Sequence, residues 1–115
     1  MPYTLVSTMV TFVHCADIHL GLRQYGLDER YRDMARTFMS ISELARAENA
    51  EFVLVSGDLF DRRNITPPTY IQACRVLSTL RDRGIPVLAI EGNHDMFYAR
   101  DRKGWLHSLE EQGLI

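Results

Sequence analysis

Residues 51–61, EFVLVSGDLFD, join an apolar run to a glycine and two carboxylates. The run FVLV within residues 51–56 is typical of a strand that is buried on both faces of a parallel sheet. Gly57 ends this strand and allows the backbone to turn sharply, because glycine lacks a Cβ atom. Asp58 is therefore predicted to lie just beyond the carboxyl end of a buried strand.

Two other segments have the same design. Residues 10–15, VTFVHC, are rich in β-branched and aromatic side chains and lead into Asp17 and His19. Residues 85–90, IPVLAI, lead into a loop with the sequence GNHD, residues 92–95. Each predicted strand is thus followed by residues that can bind metal ions or move protons.

Helical patterns separate these strands. Residues 28–48 carry apolar side chains at helical spacing, with charged residues between them. Residues 66–83 form a second predicted helix, in which Thr66 is the N-cap, two prolines occupy the first turn and Gly84 takes the C′ position. Strands that alternate with helices predict an α/β fold of βαβ units, with right-handed crossovers and mainly parallel strands.

The end of the sequence carries one more helix pattern. Residues 105–112 form a short predicted helix that closes at Gly113. Leu114 and Ile115 then have the pattern of the start of a fourth strand.

The three polar clusters are expected to meet, because the carboxyl ends of the strands in an open α/β sheet form its ligand crevice. Asp17 and Asp58 offer carboxylate oxygens, His19 an imidazole nitrogen and Asn93 an amide oxygen. One residue separates Asp17 from His19, which places both side chains on the same side of an extended segment. The sequence therefore predicts a mixed oxygen and nitrogen site for a divalent metal, not a thiolate site.

The composition is that of an ordinary globular protein, 46% hydrophobic and 24% charged, and the 115 residues suffice for one domain. No apolar run approaches the roughly 20 residues of a membrane span, and the first residues lack signal-peptide features. Cys15 and Cys74 fit reduced thiols, which predicts a cytoplasmic location. A net charge of -2 argues against holding nucleic acid by bulk positive charge, but leaves room for a local basic patch.

The order DxH, GDxxD and GNHD resembles the first half of the calcineurin-like metallophosphoesterase signature. Each motif alone is common in turns, whereas three in this order, each at a strand end, form a specific combination. The stretches ADIHLG (16–21), RQYGLDER (23–30), GDLFD (57–61) and AIEGNHD (89–95) look like the SbcD-type nuclease subunit of DNA double-strand-break repair complexes. Protein phosphatases of the superfamily usually carry Asp-Arg-Gly in the second motif, where this chain has Asp61 followed by two arginines.

This resemblance implies a fold and a domain boundary. Residues 1–115 would form the amino-terminal half of a metallophosphoesterase β-sandwich flanked by helices, and the carboxy-terminal half of the nuclease domain would be absent. The family pattern also contains histidines in a GH motif and in a later His-x-His pair, which these residues lack. His14 is predicted to be a hydrogen-bonded core residue and His107 a surface or partly packed one. We therefore expect a truncated chain that is inactive alone; the alternative is that another chain supplies the missing ligands.

The resemblance also implies roles for the site residues. Two divalent ions would complete the site, most readily Mn²⁺, with Fe²⁺, Zn²⁺ or Mg²⁺ as alternatives. Asp17 and His19 would bind the first ion, Asp58 would bridge both and Asn93 would bind the second. The catalytic residue would be His94, which protonates the leaving oxygen. Its neighbour Asp95 would either orient that histidine or cap the turn.

The expected function is that of a metal-dependent DNA nuclease in DNA end processing and double-strand-break repair. A non-catalytic module of the same fold, and a phosphatase or cyclic-nucleotide phosphodiesterase, are the alternatives. Arg62 and Arg63 are predicted to contact DNA phosphates, because they adjoin the second motif. Expected partners are DNA, an SbcC-type coiled-coil ATPase and a second copy bound through the helix at residues 66–83. The apolar stripe of that helix is equally well explained as core.

Overall fold

The fold is that of a computed structural model of the chain, which describes residues 9–22, 28–62, 65–92 and 103–115. The elements in chain order are β1 (Phe12–Cys15), α1 (Asp28–Ala47), β2 (Phe52–Ser56), α2 (Pro67–Asp82), β3 (Val87–Ile90) and α3 (Trp105–Glu111). The three strands and three helices predicted from the sequence are confirmed, with small shifts at their ends. None of the helices in these ranges is long and apolar enough to cross a membrane.

The three strands of the described ranges form one parallel sheet in the order β1-β2-β3. Two right-handed crossovers between neighbouring parallel strands place both connecting helices on the same face of the sheet. In agreement with this rule, α1 packs against β1 and α2, and α2 packs against β3. The predicted α/β fold with βαβ units and parallel strands is confirmed.

The hydrophobic core lies between this face of the sheet and the helices. Val53 and Val55 of β2 point into it and are fully buried. They belong to one cluster with Phe38 of α1 and Leu77 of α2, which are fully buried too. The continuous apolar pattern of β2 thus reflects its central place in the sheet.

The opposite face of the sheet is apolar but exposed. Phe12 of β1 stacks on Phe52 of β2, with 4.8 Å between the ring centroids, and is 48% exposed. Leu88 and Ile90 of β3 lie on the same face and are 54% and 61% exposed. A parallel sheet is normally covered on both faces, so this surface is unusual for a parallel sheet.

His14 lies on this exposed face, so the prediction that it is a core residue is wrong. The reason is that α1 and α2 cover only the other face, toward which the alternate residues Val13 and Cys15 point. The predicted hydrogen bond is confirmed, because His14 Nε2 lies 2.7 Å from Ser56 Oγ on the neighbouring strand.

Helix α2 begins and ends where its sequence signals predict. Thr66 is the N-cap with the prolines directly after it, and Gly84 beyond the C-cap has a φ of 73°. The predicted stripe faces the core, where Ala73 and Leu77 are fully buried. Val76, expected to lie off this stripe, is buried as well, because α2 packs against both the sheet and α1.

Leu114 and Ile115 pair with no strand among the described residues, and the fourth strand stays a prediction. The N–H of Leu114 donates to Leu109 C=O at 3.0 Å, and the N–H of Gly113 donates to Glu110 C=O at 2.9 Å. This pair of bonds is a Schellman C-cap, with Gly113 at a φ of 72°. The Leu114 amide therefore caps α3, as the amides of Ala50 and Ile85 do at the ends of the helices before β2 and β3.

The core position of Phe38 gives a test of the fold. Phe38→Ala is expected to lower the free energy of unfolding by about 3–5 kcal/mol, because it empties a fully buried site. Leu44→Ala on the same helix removes a side chain that is 50% exposed, and should change it by only about 0.5 kcal/mol. Urea denaturation followed by circular dichroism compares the two. Equal losses would contradict the orientation of α1.

Candidate metal centre

Backbone hydrogen bonds hold the loop after β1 against the loop after β2. The N–H of Asp17 donates to Gly57 C=O at 3.2 Å, and the N–H of His19 donates to Asp58 C=O at 3.0 Å. The parallel pairing of the two strands thus continues beyond the sheet. It fixes three of the predicted ligands relative to one another.

These three candidate ligands have an unusual backbone conformation. Asp17, His19 and Asp58 have φ values of 56°, 53° and 51°, in the left-handed region that costs an L-residue about 1–2 kcal/mol. The extended segment predicted for Asp17 and His19 is therefore wrong. The chain curls here because Ile18, between them, turns into the core and is only 4% exposed.

The side chains of these residues nevertheless converge. Asp17, His19 and Asp58 each offer one ligand atom, and the three atoms lie within 4.8 Å of one another. His19 Nε2 lies 3.9 Å from Asp17 Oδ1. Asp58 is buried, with 8% of its surface exposed, whereas Asp17 is exposed. The predicted grouping of the first three ligands is thus present in the fold.

The cluster fits a divalent cation. Metal–oxygen and metal–nitrogen distances of about 2.0–2.2 Å place two ligands of one ion up to about 4.4 Å apart. The observed limit of 4.8 Å therefore requires only a small movement of the side chains. Two carboxylates and one imidazole suit Mn, Fe or Zn, as expected from the sequence.

Gly92 brings the end of the third strand against Asp58. A Cβ atom added at Gly92 would stand 2.6 Å from the Asp58 Cγ and backbone nitrogen atoms, and would overlap its Oδ1 atom. A side chain at position 92 would therefore collide with Asp58, which explains the glycine in the third motif. All three strand ends meet at this point, as the sequence predicts.

Four predicted site residues lie outside the described residues. They are Asn93, His94, Asp95 and Arg63. The roles expected for these four residues stay predictions.

Asp61 is a member of the site that the sequence did not assign. Its Oδ1 atom lies 3.2 Å from His19 Nδ1, and its Oδ2 atom lies 3.8 Å from Arg62 Nε. The Asp61 side chain is 16% exposed and that of Arg62 is 83% exposed. The signal was present as the second carboxylate of the GDxxD motif, but the pattern alone could not show which side chain it contacts.

The cysteines take no part in this cluster. The Cys15 thiol lies on β1, 3.7 Å from Leu54 C=O, and burial raises its pKa. Burial likewise raises the pKa of the Cys74 thiol, an effect that a hydrogen bond with Tyr70 opposes. Both thiols are therefore protonated near neutral pH. This agrees with the prediction of an oxygen and nitrogen site.

His107 is partly packed, as predicted, and does not belong to the cluster of Asp17, His19 and Asp58. Its Nδ1 atom accepts a hydrogen bond from Gly104 N–H at 2.9 Å, which closes the first turn of α3. The same atom lies 3.5 Å from Glu91 Oε1. His107 thus lies between the start of α3 and the end of β3.

The fold and the ligand cluster define a metallophosphoesterase type of site. Residues 10–113 match the family described as calcineurin-like phosphoesterase, and the chain belongs to this family. The family resemblance inferred from the three motifs is therefore confirmed.

Three curated relatives carry the name DNA double-strand break repair protein Mre11. The relative from Archaeoglobus fulgidus is 44% identical over 90% of this chain and 23% of its own length. The relative from Aeropyrum pernix is 42% identical over 92% of the chain and 25% of its own length. The relative from Saccharolobus solfataricus is 40% identical over 93% of the chain and 28% of its own length. The chain spans about a quarter of the length of these relatives.

The contact of Gly92 with Asp58 generates a prediction. The chain is expected to bind Mn²⁺ weakly at one site, and Gly92→Ala should weaken this binding about 10–100-fold, because the new methyl group displaces the Asp58 carboxylate. Isothermal titration calorimetry measures the affinity and the stoichiometry.

Gly84→Ala is the matched control. A Cβ atom at Gly84 meets nothing within 4 Å, so this variant carries only the cost of its positive φ and should keep its Mn²⁺ affinity. Circular dichroism checks that both variants are folded. An unchanged Mn²⁺ affinity in folded Gly92→Ala would contradict the placement of Asp58.

Proposed function

We propose that this chain is the amino-terminal part of a metal-dependent DNA nuclease that hydrolyses phosphodiester bonds in DNA end processing and double-strand-break repair. The observation that carries the proposal is the cluster of Asp17, His19 and Asp58 in a chain of the calcineurin-like phosphoesterase family. The repair function named for the relatives supports DNA as the substrate class.

The exposed sheet face supports the proposal that residues 1–115 are only part of the nuclease domain. A second sheet packed about 10 Å away would form the expected β-sandwich. Phe12, Leu88 and Ile90 would then become core residues of that sandwich. The histidines of the GH and His-x-His motifs would come from the same additional part. The chain alone is then expected to be inactive.

The proposed ligand roles follow from the chemistry of the side chains. Divalent ions at such a site, most readily Mn²⁺, lower the pKa of a bound water and stabilise charge on the attacking and leaving oxygens. Asp17 and His19 hold the first ion in this proposal. Asp58 would serve both ions, since a carboxylate has two oxygens, and Asn93 would hold the second ion.

His94 is proposed to supply the proton. An imidazolium can protonate the leaving 3′-oxygen near neutral pH, whereas the amide of the neighbouring Asn93 cannot. Asp95 orients His94 in one reading and caps the turn in the other. The family pattern favours a catalytic role for His94 over a ligand role.

Arg62 and Arg63 are proposed to contact DNA phosphates. The side chain of Arg62 is 83% exposed, so it can reach a large polyanion. Arg62 also lines a cavity of about 300 Å³ together with Tyr31, Thr66 and Thr69, whose hydroxyl groups hydrogen-bond to one another. A guanidinium next to hydroxyl donors suits a phosphate or a sugar.

The proposed partners are an SbcC-type coiled-coil ATPase and a second copy of the chain. Because Ala73 and Leu77 are buried inside the chain, a dimer through the helix at residues 66–83 would use the outer surface of that helix. Ile71, which is 48% exposed, is an apolar residue of that surface. We also propose a cytoplasmic location, which the free thiols of the two cysteines support.

The nuclease proposal is tested with a protein that extends this chain through the GH and His-x-His motifs. With Mn²⁺ it is expected to cleave DNA ends or hairpins, while residues 1–115 alone should be inactive. Gel analysis of labelled DNA measures cleavage, with EDTA as the control. Hydrolysis of aryl phosphates or cyclic nucleotides, without cleavage of any DNA, would favour the alternative phosphatase or phosphodiesterase.

Neighbouring residues of the third motif give a further prediction in that longer protein. His94→Ala should lower the rate about 10²–10⁴-fold and keep Mn²⁺ occupancy, because it removes only the acid. Asn93→Ala should lower occupancy of the second site, so that excess Mn²⁺ restores part of its rate. Calorimetry and single-turnover kinetics separate the two. Loss of a metal position in His94→Ala, with rescue by Mn²⁺, would make His94 a ligand.

A further inference from the structure

Thr69 of α2 carries one of the few buried polar side chains of the described residues. It is 2% exposed, and in these ranges only Ser42 and Asp58 are buried polar residues besides it. Its hydroxyl oxygen lies 3.1 Å from that of Tyr31 in the first turn of α1 and 3.2 Å from that of Thr66. A buried hydroxyl group needs such partners, because burial without them costs free energy. The three hydroxyl groups therefore form one hydrogen-bonded chain between the amino ends of α1 and α2.

The N-cap residue of α2 belongs to this chain and does not cap its own helix. An N-cap threonine normally accepts a hydrogen bond from the N–H of the second or third helical residue. The second helical residue is Pro68, which has no N–H, and the Thr66 side chain makes no cap hydrogen bond. Its hydroxyl bonds the side chain of Thr69, the third helical residue. The start of α2 thus holds the Thr69 side chain in one orientation.

The Thr69 side chain touches the loop that carries Asp17 and His19. A Cβ atom added at Gly21 would lie 3.2 Å from Thr69 Cγ2 and 3.3 Å from Thr69 Oγ1, so the backbone of Gly21 packs directly on this side chain. The N–H of Leu22 donates to His19 C=O at 3.1 Å, which closes a turn around Gly21. Gly21 has a φ of 93°, a conformation that favours glycine. The contact at Gly21 therefore supports the turn that begins at His19.

We propose that Thr69 is a positioning residue, whose side chain supports the loop of Asp17 and His19 and so sets the place of these two candidate ligands. The inference rests on the proposed metal-dependent function. Backbone bonds to the loop after β2 fix the register of Asp17 and His19, and Thr69 adds a contact from a different element, α2. Loss of the Thr69 hydroxyl frees this side chain to turn, because neither Tyr31 nor Thr66 then holds it.

Thr69→Val tests the proposal, because valine keeps the branched shape and loses the hydroxyl. The Mn²⁺ affinity of the chain is expected to fall about 2–10-fold, the equilibrium effect of one lost hydrogen bond. Thr69→Ser keeps the hydroxyl and should bind Mn²⁺ more tightly than Thr69→Val. Electron paramagnetic resonance of the free ion measures the affinity. The measurements are made without DNA, so a contact of these hydroxyl groups with a substrate cannot cause the effect.

Thr79→Val is the matched control on the same helix. The Thr79 hydroxyl donates to Arg75 C=O at 3.0 Å, inside α2 itself, so this variant should keep the wild-type Mn²⁺ affinity. Tyr31→Phe removes the partner hydroxyl on α1 and should weaken binding as Thr69→Val does. The double variant of Tyr31 and Thr69 should lose less than the product of the two factors, because both changes remove the same hydrogen bond. An equal loss in Thr79→Val, or independent effects in the double variant, would contradict the proposal.

A metal-free readout separates this proposal from the proposed function. Nitrogen-15 NMR records the backbone amides of Asp17 and His19, whose signals should shift in Thr69→Val and stay unchanged in Thr79→Val. Wild-type signals in folded Thr69→Val overturn the proposal, and so does an affinity of Thr69→Ser no higher than that of Thr69→Val. If the wild-type chain binds no Mn²⁺, the metal-dependent function fails, and the amide signals still decide the role of Thr69. If Thr69→Val does not fold, Tyr31→Phe takes its place, and wild-type amide signals in that variant overturn the proposal.

Discussion

The hydrogen bonds between the loops after β1 and β2 are the constraint on which the site depends. They continue the parallel pairing of the strands from Asp17 opposite Gly57 to His19 opposite Asp58. Because the loops are bonded to each other, ligands from separate parts of the sequence keep one geometry. A metal site assembled from free loops would have to lose conformational entropy on binding, at about 1–2 kcal/mol for each residue that becomes ordered. Here that cost is met when the chain folds.

In the loops after β1 and β2, neighbouring side chains must point in opposite directions. This explains the strained backbone of these loops. Their apolar residues, Ile18 and Leu20 among them, are buried in the core. Their polar neighbours Asp17 and His19 must point away from the core toward the cluster. Left-handed conformations at Asp17, His19 and Asp58 satisfy both requirements. Burial of apolar side chains, worth about 1.5–3 kcal/mol each, offsets the strain of these residues.

The two faces of the sheet show that apolar strand residues can be buried or exposed, depending on the face on which they lie. Valines at alternate positions of β2 are buried under the helices, whereas Leu88 and Ile90 of β3 have the same chemistry and are exposed. A continuous apolar strand predicts burial on both faces, and the second face is uncovered in this chain. His14 was misplaced for this reason. The sequence correctly predicted that His14 lies in a strand, but it did not show on which face of the sheet His14 lies.

The sequence by itself determined the order of strands and helices, the helix caps and the choice of three candidate metal ligands. These follow from local chemistry: apolar periodicity, the φ preferences of glycine and proline, and polar residues at strand ends. Tertiary structure alone decided the contact of Asp61 with His19, the close approach of Gly92 to Asp58 and the use of the Leu114 amide in a helix cap. These contacts depend on how separate segments approach one another within a few tenths of an ångström. No local pattern encodes such distances, because packing of the whole core sets them.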